Sequence, residues 1–262
     1  MIGDIFNGLA FPMLSPGGCG DASDVNSSET YTYVDQVGKN LFSASSSAGS
    51  SHCFSVANGG SACGWFDIQS QNNAPFIFGL GWTGAANHQW QMRIINNTNI
   101  TGYWRTSGGV ETGLGLATKF MGSQVHLAMT WDGTYIRMYQ NGIQQNISST
   151  TLEAVTSEVL QIGHRVGETA RQVEMGFCHV AVWNNYCLSA QEVGILANSV
   201  KPNAMQKAIL MSATSYYPFT SVEPGLSVDL CYGHHMYSST AGGTVGRETI
   251  KTISRGLNEG PR

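Results

Sequence analysis

The stretch VHLAMTWDGTYIRMYQNGIQQNIS, Val125 to Ser148, holds two alternating segments, each ended by a residue pair suited to a tight turn. In an extended chain Val125, Leu127, Met129 and Trp131 share one face, and His126, Ala128 and Thr130 share the other. Asp132-Gly133 and Asn141-Gly142 tolerate the positive φ that hairpin turns need if they are to match strand twist. A slip of one residue would exchange a buried face for an exposed one, so turns and alternation together lock a three-stranded antiparallel meander. No fold without an antiparallel sheet accommodates this segment.

The same grammar continues on the N-terminal side. Cys63–Gln69, Pro75–Gly81, Gln89–Ile95, Ile100–Arg105, Val110–Leu116, Gln124–Trp131, Tyr135–Gln140 and Val159–Ile162 read as strands separated by Gly, Asn, Asp and Ser clusters. Spacings this short leave no room for crossover helices, which favours a sandwich over βαβ units. One helix is expected, Leu188–Ser199, with Ser189 and Glu192 as a capping box, Leu188 and Val193 as a hydrophobic staple, and Pro202 as a stop. Ala208–Phe219 reads as a further strand. Residues 1–50 read as an N-terminal arm with one or two edge strands, residues 51–245 as the sandwich, and residues 246–262 as a polar tail.

Composition narrows the function classes. Charged residues are 11% of the 262, with a net charge of −4, so no basic footprint for nucleic acid exists. No apolar run is long enough for a membrane-spanning helix, and no basic n-region precedes the apolar residues of the N-terminus. The six cysteines lack any Cys-x-x-Cys pair, which argues against structural zinc. They are expected as free thiols, with a Cys53–Cys63 disulfide as the alternative. The four Asn-x-Ser/Thr sequons, beginning at Asn26, Asn96, Asn99 and Asn146, are read as a by-product of an Asn/Ser/Thr-rich composition.

VHLAMTWDGTYIRMYQNG, then EVLQIGHR, then MGFCHVAVWNNYCLSAQEVGILAN together resemble the laminin-G-like branch of the concanavalin A-like lectin/glucanase superfamily. The resemblance rests on Thr130, Trp131, Asp132, Gly133, Tyr139, Asn141, Gly142, Ile162, Gly163, Val182, Trp183, Asn184, Leu188, Ser189 and Glu192, and is densest over residues 125–198. It implies an all-β fold: an antiparallel jelly-roll β-sandwich, here with one short helix and extended terminal arms. It also implies rim calcium as an option, for which Asp67, Asp132, Asn184 and Asp229 have suitable oxygens, although no Asp-x-Asp run gathers them. No cofactor is otherwise expected.

Catalysis lacks its usual signatures. Asp67 has no acidic neighbour, Glu153 and Glu158 lie in loops, and no Glu-x-Asp-x-x-Glu strand offers paired carboxylates for glycoside cleavage. No Gly-x-Ser-x-Gly elbow exists, and the adjacent His234 and His235 would point to opposite faces of a strand. No catalytic residue is assigned. For glycan recognition the best platform candidates are Trp82, in a Gly-rich loop, and Trp104 with its neighbour Arg105. The expectation is a non-catalytic module on a larger particle, a virion accessory such as a capsid decoration or tail protein. It would be homo-oligomeric, docked through Met1–Ser28 and Gly246–Arg262, and would display the sandwich toward glycans. A free secreted lectin is the alternative and a glycan-active enzyme the third reading.

Overall fold

The computed structural model describes residues 32–34, 41–44, 52–71, 76–80, 89–95, 99–116, 124–155, 160–163, 173–200, 202–219, 226–227, 230–231 and 236–239. In chain order the strands are β1 Thr32–Val34, β2 Leu41–Ala44, β3 Gly60–Gln71, β4 Phe76–Leu80, β5 Trp90–Ile95, β6 Asn99–Arg105, β7 Glu111–Gly115 and β8 Gln124–Trp131. They continue with β9 Tyr135–Gln140, β10 Ile143–Ser149, β11 Leu160–Ile162, β12 Val173–Trp183, β13 Ser215–Tyr217, β14 Leu226–Ser227 and β15 Met236–Ser239. Two short helices, α1 Ala190–Leu196 and α2 Ala204–Leu210, lie between β12 and β13.

Among the described residues the strands form two antiparallel sheets. The first runs β1-β12-β3-β8-β9-β10, with β13 also on β12, and the second runs β14-β15-β2-β11-β4-β5-β6-β7. The expected meander is β8, β9 and β10, paired in register from Leu127↔Gln140 to Trp131↔Ile136 and from Ile143↔Gln140 to Ser149↔Tyr135. At Asn141-Gly142 both φ angles are positive, 49° and 81°, and the Asn141 side chain accepts a bond from the His126 N–H at 2.9 Å. In the Asp132-Gly133 turn only Gly133 has positive φ, and Asp132 instead accepts the amides of Thr134 and Tyr135.

The interior lies between the sheets. Val125, Leu127, Met129 and Trp131 are all buried there with Phe66, Ile68, Phe78, Trp90, Met92 and Trp104. The Phe66 and Phe78 rings, one from each sheet, stack 4.9 Å apart. Gly102 lets the sheets close: a Cβ there would meet Met138 Sδ at 2.4 Å and Met129 Cε at 2.6 Å.

Three expectations are revised. His126, Ala128 and Thr130 are as buried as the opposite face of β8, because α1 and α2 pack over the outer side of the first sheet. Ala208–Phe219 is helix before it is strand: Asn203 and Gln206 form a second capping box that starts α2, and β13 begins only at Ser215. Residues 41–44, read as an edge, carry a partner on either side, β11 and β15, whereas residues 32–34 pair with β12. The helix at Ala190–Leu196 forms with its capping box, and Leu188 and Val193 share one apolar cluster with Leu196, Leu210 and Trp183. Cys53, Cys63, Cys178, Cys187 and Cys231 are free thiols; Cys19 lies outside the described residues.

Candidate ligand-binding face

Alternation along β6 decides which aromatic residues can meet a ligand. Trp104 pairs with Trp90 across β5 and is wholly buried in the sandwich, with its indole N–H donating to Thr150 at 3.0 Å. Tyr103 and Arg105 therefore point to the other, outer side of the second sheet. A joint Trp104–Arg105 platform is excluded, since adjacent strand residues face opposite ways. Trp82 lies outside the described residues, as do Glu158, Asp229, His234 and His235.

The outer side of β5, β6 and β7 carries a connected polar arrangement. Arg93 reaches from β5 across β6; its guanidinium sits 3.8 Å from the Tyr103 ring centroid and donates to Glu111 on β7 at 2.6 Å. This stack is a charge-assisted bond laid over an aromatic face. Arg105 donates through Nε to Glu153 at 2.7 Å and through its terminal nitrogen to the Gly109 carbonyl at 2.6 Å. The two ion pairs cancel, so these four residues add no net charge to the face.

Exposure is graded across these strands. On β7, Glu111, Gly113 and Gly115 are exposed, and on β6 Tyr103 and Arg105 are half-buried. Thr101, Arg93 and Gln91 below them are buried. Gly113 sits opposite Tyr103, and a Cβ there would come within 2.8 Å of the ring, so glycine leaves the tyrosine its position. Gln91 continues the row, flanked by Gly79 on β4 and then Gln161 on β11. Among the described residues neither amide atom of Gln91, nor Arg93 Nε, finds a hydrogen-bond partner. Gly79 has φ +150°, and a Cβ there would clash with the Gln91 backbone at 2.4 Å. Of these groups Tyr103, Arg105 and Glu111 are the accessible ones, an aromatic ring beside polar side chains, the kind of groups that hydroxyl-rich ligands require.

The calcium candidates among the described residues, Asp132, Asn184 and Asp67, are not brought together. Asp132 is committed to its own turn and to Arg137 at 2.6 Å, which hold its carboxyl below the usual range against the opposing effect of partial burial. The Asn184 side chain accepts the Thr214 hydroxyl at 2.6 Å, and buried Asp67 lies toward the other end of β3 from the Asp132 turn and Asn184. Among the described residues no group of three or more His, Cys, Asp or Glu side chains is placed to hold a metal ion.

Comparison with known families agrees with this architecture. Residues 42–194, more than half of the chain, match the laminin-G-type model of the concanavalin A-like lectin/glucanases superfamily. The chain belongs to this superfamily. Among solved structures, a candidate carbohydrate-binding protein from Bacteroides ovatus shares the fold with a TM-score of 0.59 at 13% identity. That match covers 88% of this chain and 61% of the Bacteroides protein. A heptameric pentraxin from Limulus polyphemus matches with a TM-score of 0.47 at 13% identity, over 69% of this chain and 87% of its own. The binding domain of botulinum neurotoxin serotype G matches at 0.49 and 14%, over 60% of this chain and 40% of that one. No curated protein sequence matches. For this member of the superfamily, Tyr103, Arg93 and Glu111 were missed in the sequence although the signal was present: with Gly102 and Trp104 facing in, Tyr103 had to face out.

Proposed function

We propose that the chain is a non-catalytic carbohydrate-binding module whose ligand rests on the outer face of the second sheet, against Tyr103, Arg105 and Glu111. The observation that carries this reading is the Arg93–Tyr103–Glu111 stack beside two exposed glycines, Gly113 and Gly115, which leave the rest of the β7 margin without side chains. Glu111 and Glu153 are each tied to an arginine, an arrangement suited to holding hydroxyl groups. The Bacteroides relative in fold, named as a candidate carbohydrate binder, is consistent with this use of the scaffold.

Glycan-array binding followed by titration calorimetry tests the proposal. Loss of the aromatic face and its hydroxyl removes about 1.5–2.5 kcal/mol, so Tyr103→Ala should weaken binding by at least about tenfold. Arg105→Ala should weaken it similarly. Binding that survives both substitutions unchanged, or release of reducing ends from a bound polysaccharide, would overturn it.

We also propose that the module is displayed on a larger particle as a homo-oligomeric virion accessory. What supports this is compositional: a surface poor in charge and chain ends rich in small polar residues. Deleting residues 1–28 or 246–262 should abolish incorporation into particles and leave glycan binding intact. Full incorporation of both deletions would favour the free lectin instead.

A further inference from the structure

Beneath α1 and α2, on the side of the molecule away from the proposed ligand face, a cavity of about 10 Å³ is lined by Cys63, Trp65, His126, His179, Gln206 and Leu210, among others. That is room for about one water molecule. Two imidazoles line it. His126, on β8, is 1% exposed, lies edge-on to Trp65 with centroids 5.3 Å apart, and among the described residues has no partner for Nδ1. His179 is 6% exposed, and while its Nδ1 shares a 2.8 Å hydrogen bond with the Tyr216 hydroxyl, its Nε2 has no partner among the described residues.

The second histidine is also held in an uncommon conformation. His179 has φ 51°, in a bulge where β12 shifts register between Cys178 and Ala181 against β3. A left-handed non-glycine residue is sustained only when its surroundings over-determine it. Here the bulge turns the imidazole toward the helices.

We propose that His126 and His179 form an acid-sensitive latch: protonation of the pair releases α1 and α2 from the first sheet and bares its outer apolar face, while the sandwich beneath persists. The helices cover Cys63, Ala128, Tyr139, Ala181 and Trp183, so their departure exposes apolar surface.

Among the described residues lining the cavity none is an anion for a protonated imidazole. Cys63 on β3 is a neutral thiol, its pKa pushed up to about 12 by burial. Tyr216 on β13 is a phenol, α2 brings the Lys207 ammonium, and Glu192 on α1 is bound to Ser189 and Tyr186. Asp67, two residues along β3 from Trp65 and on the same face of the sheet, does not line the cavity. Burial lowers His126 to about 3, and burial followed by the Lys207 charge lowers His179 to about 4. Both values lie below the ordinary 6.5, so the closed state is favoured above that pH and loses ground as pH falls toward the lowered values. At pH 4.5, exposure of both rings would shift the opening equilibrium by on the order of 10³–10⁴-fold relative to neutral pH.

The test is amide hydrogen exchange on the full chain at pH 7 and pH 4.5, corrected for intrinsic rates, together with dye binding to exposed apolar surface. The expected result is loss of protection in residues 190–210 of more than a hundredfold at pH 4.5, dye binding, and retained protection in β4, β5 and β6. The double variant His126→Gln/His179→Asn, asparagine being chosen because it tolerates positive φ, should keep its helix protection at pH 4.5. Unchanged helix protection in the wild type, or equal acid sensitivity in the variant, overturns the proposal. Should the variant not fold, imidazole proton shifts in the wild type decide: titration near 6.5 with the helices still protected overturns it, whereas titration in step with helix opening upholds it.

Discussion

Replacing Trp104 by alanine separates the core of the second sheet from its proposed ligand face. The indole is 0% exposed and donates to Thr150, so truncation both empties a large buried volume and removes a hydrogen-bond donor. A tryptophan buries about 200 Å², which at about 25 cal/mol/Å² corresponds to about 5 kcal/mol. Measured truncations of this kind cost about 3–5 kcal/mol. Thr150 is part-exposed and also donates to the Thr151 carbonyl, so the lost indole bond adds little. Trp104→Ala should therefore cost about 3–5 kcal/mol, a large part of the about 5–15 kcal/mol available to a typical protein. Tyr103→Ala, at a half-buried site one residue away, should cost no more than about 2 kcal/mol. Urea unfolding followed by far-ultraviolet circular dichroism reads both, with similar slopes expected for the two variants. Were Trp104→Ala nearly as stable as wild type while glycan binding disappeared, the indole would be a ligand platform, and β6 would have to present Trp104 outward and Tyr103 inward.

Three further outcomes follow from the same geometry. Asn141→Ala loses a residue suited to φ 49° and the bond to the His126 amide, and should cost about 2 kcal/mol, read as a lower urea midpoint. Gly194→Ala, inside α1 with nothing within 4 Å of the new methyl group, should raise stability by about 0.5–1 kcal/mol in the same assay. A thiol-reactive probe at pH 8 should modify the half-buried Cys187 and Cys231 in native protein and spare Cys53, Cys63 and Cys178 until unfolding; rapid modification of Cys63 would contradict its burial.

Much of the fold was legible because strand grammar is local. Gln124–Trp131 and Tyr135–Gln140 follow from alternation and from two glycine-bearing turns, and α1 follows from Ser189 and Glu192. What escaped depends on partners distant in sequence. Polar His126 and Thr130 gave no hint that helices some 65 residues later would cover them, and Tyr216 and Tyr217 drew the segment before them into a strand reading. The Asn203–Gln206 box was readable and outweighed the apolar run that followed. The proposed ligand face was half legible: Arg105 lies on it, but large aromatic residues attract attention as binders, and Trp104 serves the core because its parity along β6 matches Ile100 and Gly102. Arg93 belongs to a different hairpin strand from Glu111, so their pairing depends on sheet register and not on sequence distance.

Titration of isotope-labelled protein with a glycan selected on the array, followed by amide chemical shifts, most directly tests where the ligand sits. The expected perturbations cluster at Arg93, at residues 101–105 and at residues 111–115, with the amides of residues 188–213 unmoved. Perturbations concentrated on the helix-covered side, with β5, β6 and β7 silent, would contradict the assignment of the second sheet's outer face as the binding surface.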